Sequence, residues 1–124
     1  MALKKAIEEN YQSFLKFNAA KYDRLQGMIS NSGVKKVINA IPAILCTNDK
    51  KIPGYVEGCS LYGITGYEAD AETVKYVKGR FGVDFSYRGN PAFIEMLSVM
   101  GSVGTIAYNK KSDFDFWACI DNTG

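Results

Sequence analysis

Apolar side chains recur at steps of three and four from the start of the chain: Leu3, Ile7, Tyr11, Phe14, Tyr22, Leu25 and Met28, with Asn18 in the same line and Lys4, Lys5, Glu8, Glu9, Lys16 and Arg24 between them. That period predicts one long amphipathic helix over residues 2–29. Its stripe is expected to pack on the rest of the protein, with a coiled-coil seam as the alternative reading. In "SNSGVKKVINAIPAILC" the apolar positions Val34, Val37, Ile38, Ile41, Ile44 and Leu45 are denser. A second helix is expected, opened by Ser30, Asn31 or Ser32 as N-cap and kinked or interrupted near Pro42.

The pattern then breaks. "TNDKKIPGYVEG" is polar and turn-rich, with a tight turn at Pro53-Gly54 and with Tyr55 and Val56 as candidate anchors of the loop. "CSLYGITGY" combines β-type residues with Gly63 and Gly66, as a short extended segment does. "EADAETVKYVKGRFG" predicts a third helix with acids in its first turn, Val74 and Val77 on the buried side, and Gly79 or Gly82 at its end. Beyond it the composition turns to β type: Phe93, Ile94, Leu97, Val99 and Met100 form one expected strand and "DFDFWACID" another. The expectation is an α+β chain whose N-terminal helices pack on a small mixed sheet. Its mainly helical part covers residues 1–82, and the start of a sheet-based core covers 83–124.

Composition narrows the function. With 124 residues, 47% of them hydrophobic, the chain can bury one real core. Fifteen basic against thirteen acidic side chains leave a net charge of +2 spread along the sequence, which argues against nucleic acid as a partner. The three cysteines, Cys46, Cys59 and Cys119, are far apart and form neither a disulfide framework nor a CxxC metal motif, so a reducing, cytoplasmic setting is expected. The longest apolar run is too short to span a bilayer, and no membrane span is expected. There is no histidine. Serine or cysteine nucleophiles activated by imidazole, and most zinc chemistry, are thereby excluded, leaving carboxylates, a hard metal ion, lysine or backbone donors.

The candidate chemistry lies in "MGSVGTIAYNKKSDFDFWACID". In a strand, residues two apart share a face with Cα atoms about 6.6 Å apart. Asp113, Asp115, Trp117 and Cys119 then occupy one face, and Phe114, Phe116, Ala118 and Ile120 an apolar face expected to belong to the core. Two carboxylates so placed repel unless solvent or a hard cation meets them. Gly101 and Ser102, after an apolar strand, form the complementary half: close backbone approach and N–H donors for phosphate oxygens. Each signal alone is weak. A plain structural reading makes the pair a turn and the aspartates turn residues of a hairpin.

In this order and spacing, the segment resembles the signature of the polymerase-β-like nucleotidyltransferase superfamily, and most closely the N-terminal catalytic region of class I adenylate cyclases. "VINAIPAILCTNDKKIPGYVEG" and "YGITGY" extend the resemblance upstream, so that it covers about residues 34 to 121. It implies a partial nucleotidyltransferase domain that converts ATP to 3′,5′-cyclic AMP and pyrophosphate. Gly101 and Ser102 match the phosphate-binding pair, and Asp113 and Asp115 the acids that hold two Mg²⁺ ions. Lys110 and Lys111, in a turn more basic than the pattern, read as solvated, with phosphate contact as the alternative reading. Superfamily members generally need a third carboxylate on a later strand. The chain is therefore expected to be an N-terminal piece, inactive in isolation and able to self-associate. Two alternatives remain: another nucleotidyltransferase that modifies a protein or small molecule, and a non-catalytic helical interaction module. Cys59 and Ser60, with no base beside them, read as structural.

Overall fold

The computed structural model describes residues 1–87, 92–100, 111 and 113–121. Along these the elements are α1 (Ala2–Met28), α2 (Ser32–Leu45), α3 (Ala71–Phe81), β1 (Ile94–Met100) and β2 (Asp115–Ile120). The fold class is α+β. The chain divides into two compact units, Met1–Ser30 with Gly101–Phe114, and Asn31–Met100 with Asp115–Gly124. No described helix is long and apolar enough to cross a membrane.

In the first unit α1 is a single 27-residue helix, as its period predicts. Its stripe does not behave as expected. Only Leu25 within the helix, and Ile29 just past it, are buried; Leu3, Ile7, Tyr11, Phe14 and Tyr22 are more than half exposed. Local interactions on its polar side are the i,i+4 pairs Lys5–Glu9 (3.7 Å) and Gln12 donating to Glu8 (2.9 Å). Exposed pairs of this kind contribute only a few tenths of a kcal/mol each.

The second unit begins at Asn31, which proves to be the cap of α2. Its side-chain oxygen accepts from the N–H groups of Gly33 (2.9 Å) and Val34 (3.1 Å), two donors the first turn leaves without helical partners. The helix runs through Pro42 without interruption, and the Cys46 N–H closes it on the carbonyls of Pro42 and Ala43. Asp70 caps α3 by accepting from Thr73 N–H at 2.7 Å. Gly82 ends it in the left-handed region, φ 69°, where its N–H returns to the Lys78 carbonyl. Ala40 and Ala43 on α2 are small enough to admit Val77 of α3, and all three are fully buried. Ile52 and Val83 complete that cluster, with Tyr67, Tyr76, Phe81 and Phe85 packed around it.

The loop after α2 is held from within. Asn48 donates to the carbonyls of Val56 (3.0 Å) and Cys59 (2.9 Å) and accepts from the Val56 N–H (3.3 Å). Its buried apolar anchor is Ile52, 4% exposed; of the two expected anchors Tyr55 is partly buried and Val56 remains 57% exposed. One asparagine that satisfies three backbone groups can shape a loop that buries a single side chain.

β1 and β2 pair antiparallel, from Ile94↔Ile120 to Met100↔Asp115, with an irregularity between Ile94 and Met96. The expected mixed sheet is thus an antiparallel pair among the described residues, its parallel component reduced to the single bridge Ile64↔Ile94. The face expected to be core is only partly covered: Phe114 and Phe116 are half-buried, while Ala118 and Ile120 are exposed. Two strands have too little area to enclose a face, so burial concentrates at the Ile94 end.

Candidate functional site

The sheet's anchor lies at Ile64. Its N–H donates to Cys46 Sγ at 3.2 Å, and its carbonyl accepts the Tyr87 hydroxyl at 2.7 Å. Ile94 packs into the same cluster, and its N–H donates to the Gly63 carbonyl at 2.9 Å. β1 is thereby fixed at its start. Burial pushes the Cys46 thiol up to about 11, against a lesser lowering by the Ile64 N–H. A thiol so disfavoured as thiolate is a hydrogen-bonding core residue and no nucleophile. Burial also raises the Tyr87 hydroxyl.

From that anchor β1 runs to Met100, the residue before Gly101, and the ladder sets Met100 opposite Asp115. Directly opposed residues in an antiparallel pair have Cα atoms about 4.5–5.5 Å apart. The end of the strand that leads into Gly-Ser therefore lies beside the second aspartate. On the same face of the pair, Ser98 opposes Trp117 and Met96 opposes Cys119. Trp117 is 64% exposed and shares its face with Asp115.

β2 begins at Asp115, so Asp113 precedes the strand instead of opening it. Both aspartates are exposed, and among the described residues neither carboxylate is committed to an ion pair or hydrogen bond. Hard, solvent-facing oxygen donors of this kind fit a hard divalent ion. No group of three or more acidic, cysteine or histidine side chains able to hold a metal occurs among the described residues. Gly101, Ser102 and Lys110 lie outside the described residues; Lys111 is exposed in a turn. Cys59 donates to the Leu61 carbonyl at 3.7 Å, in keeping with a structural role.

An open polar cleft of about 250 Å³ lies against Cys46 and Tyr87, the two side chains bound to Ile64, with Thr47, Asp49, Asp84 and Ser86 among its other walls. Sequence reasoning missed it, and the anchor with it. The available signals were a cysteine placed directly after the second helix and a tyrosine two residues after Phe85; neither reveals its partner before the chain is folded.

The model of the adenylate cyclase NT domain matches residues 6–123. The chain belongs to this family. The match takes in α1, which carries no motif of its own, as well as the strands around the aspartates. An adenylate cyclase of Haemophilus influenzae is 28% identical over 108 residues, covering 77% of this chain and 12% of that protein. The chain thus spans about an eighth of the length of the cyclase it matches. No solved structure matches it. In this cyclase-family chain the strand carrying Asp115 and the residue ahead of Gly-Ser are neighbours in one ladder.

Proposed function

We propose that this NT domain contributes the phosphate- and metal-binding part of an adenylate cyclase that converts ATP to 3′,5′-cyclic AMP and pyrophosphate, within a polymerase-β-like nucleotidyltransferase fold. The observation that carries the reading is the register Met100↔Asp115, which brings the strand end before Gly101 beside an exposed, uncommitted carboxylate in a cyclase-family chain. Gly101 permits close approach of the backbone to the polyphosphate, and Ser102 donates its N–H and hydroxyl to phosphate oxygens. Asp113 and Asp115 hold Mg²⁺. When bound, the metal neutralises charge at the reacting phosphoryl group and favours ionisation of the ribose 3′-hydroxyl. The 3′-oxygen forms its bond to the α-phosphorus in line, the bond from that phosphorus to the bridging oxygen breaks, and pyrophosphate leaves with that electron pair. The hydroxyl proton passes to solvent.

Trp117, the only tryptophan, reports on the site from Asp115's own strand face. Titrating the chain with millimolar Mg²⁺ and then ATP is expected to change its fluorescence, and Asp115→Asn to abolish the change. In a full-length cyclase carrying this domain, Asp113→Ala or Asp115→Ala is expected to lower cyclic AMP formation by orders of magnitude. A silent Trp117, with no heat of Mg-ATP binding by calorimetry, would favour a non-catalytic helical module. A product other than cyclic AMP from the full-length protein would favour another nucleotidyltransferase.

A further inference from the structure

The long exposed face of α1 has a physical deficit that the cyclase reading does not address. Every residue from Met1 to Ala20 is exposed, yet the helix carries large apolar side chains through that whole stretch. At 100° per residue Leu3, Ile7, Tyr11, Phe14, Leu15 and Tyr22 fall within an arc of about 120°, the width of a face that ordinarily meets a core. These six are 42–73% exposed. The same arc contains Leu25 and Ile29, which are buried. One continuous stripe is thus covered at its C-terminal end and bare over the preceding turns. A helix without tertiary burial is marginal in water, because each ordered residue gains little beyond its backbone hydrogen bond.

We propose that this face is a self-association surface, and that its partner is α1 of a second copy of the chain. Area argues for it. The six side chains leave roughly 700 Å² open, close to the about 800 Å² that each partner contributes to a standard interface and above the largest apolar patch of most monomers. The stripe is also compatible with itself. Three polar residues interrupt it, Lys4 in the first turn, Asn18 near the middle and Lys21 at its margin, and the lysine stems can lie along apolar surface with their charges in water, so two copies related by a two-fold axis can lay stripe on stripe and remove most of both from water at once. The opposite side of the helix needs no partner, since Lys5 already pairs with Glu9 and Gln12 with Glu8. The exposed side of β2 is the competing surface, and pairing there would extend the sheet instead.

Sedimentation equilibrium of the 124-residue chain from low to several hundred micromolar is the test. The expected result is a reversible shift from the 13.7 kDa chain mass to twice that mass, with helical ellipticity falling on dilution over the same range. Ile7→Glu with Phe14→Glu, both at exposed positions away from the buried clusters, is expected to weaken the dimer at least 100-fold. Glu9→Gln, on the opposite face, should leave it unchanged. An unaltered urea midpoint for the α2–α3 core in these variants shows that folding is preserved. A single-chain mass throughout overturns the proposal. So does a dimer indifferent to the double substitution, or growth beyond two chains through β2.

Discussion

Ile94 and Ile120 face each other on one rung of the ladder, yet one is 7% exposed and the other 55%. The contrast gives a prediction with an internal control. Ile→Ala removes three carbons, worth about 0.8 kcal/mol each on full burial, or about 2.4 kcal/mol at Ile94. Cys46, Ile64 and Tyr87 surround that site and are tied together by hydrogen bonds through Ile64, so they collapse only partly into the space. A cavity term of about 1 kcal/mol is added, for a total near 3–4 kcal/mol. At Ile120, with less than half of the residue buried, the same change costs about 1 kcal/mol and leaves no cavity. Ile94→Val, losing one carbon, should cost about 1 kcal/mol and keeps the effect measurable if the alanine variant is largely unfolded. The assay is urea unfolding at low micromolar protein, followed by ellipticity and by Trp117 emission. With a urea slope of about 1.5–2 kcal/mol/M, Ile94→Ala moves the midpoint down by roughly 2 M and Ile120→Ala by about 0.5 M. Equal costs at the two positions would refute the reasoning, since they require Ile120 to be as enclosed as Ile94. A cost below 1 kcal/mol for Ile94→Ala would mean that β1 is anchored elsewhere.

Two other outcomes follow from local chemistry. Asp70→Ala removes the acceptor of the Thr73 N–H and should cost about 1 kcal/mol, read as a urea midpoint shift that Asp70→Asn largely avoids. The Cys46 thiol ionises near 9 when unfolded and about 11 when folded, so the native state holds its proton more tightly. Its contribution is fully present below pH 9 and is lost as pH rises from 9 to 11; Tyr87, raised in the same direction, adds to the loss, and Cys46→Ala should flatten the slope between pH 9 and 11.

The limits of the sequence are physical ones. The helices were legible because period, caps and stop signals are local: Asn31, Asp70 and Gly82 act within a turn of their own position. Pro42 does not interrupt the helix, the stronger of the two effects its ring predicts. Its ring signals a break, yet the helix runs on to Leu45, with Ala40 and Ala43 fully buried on either side of it. Val56 looked like the loop's anchor on hydrophobicity alone, whereas Asn48 fixes the backbone so that Ile52 points inward instead.

The aspartates and the Gly-Ser pair were also visible in the sequence, as residue types at a spacing, and so was the lineage that the family match bears out over residues 6–123. What the sequence alone determined is therefore the inventory: three helices, two apolar strands, the Asp113 and Asp115 pair, no imidazole. Which of these meet is a property of register, and register depends on contacts remote in sequence. The Ile64 carbonyl binds Tyr87, 23 positions away, and Cys46, 18 positions back, receives its N–H. That anchor holds the start of β1, and the ladder carries its effect to Met100 and Asp115. Exposure was likewise undecided by pattern. An amphipathic stripe states that a helix has an apolar face; only the folded chain reveals that the face is covered at Leu25 and left open from Leu3 to Tyr22, because burial belongs to the surroundings as much as to the residue.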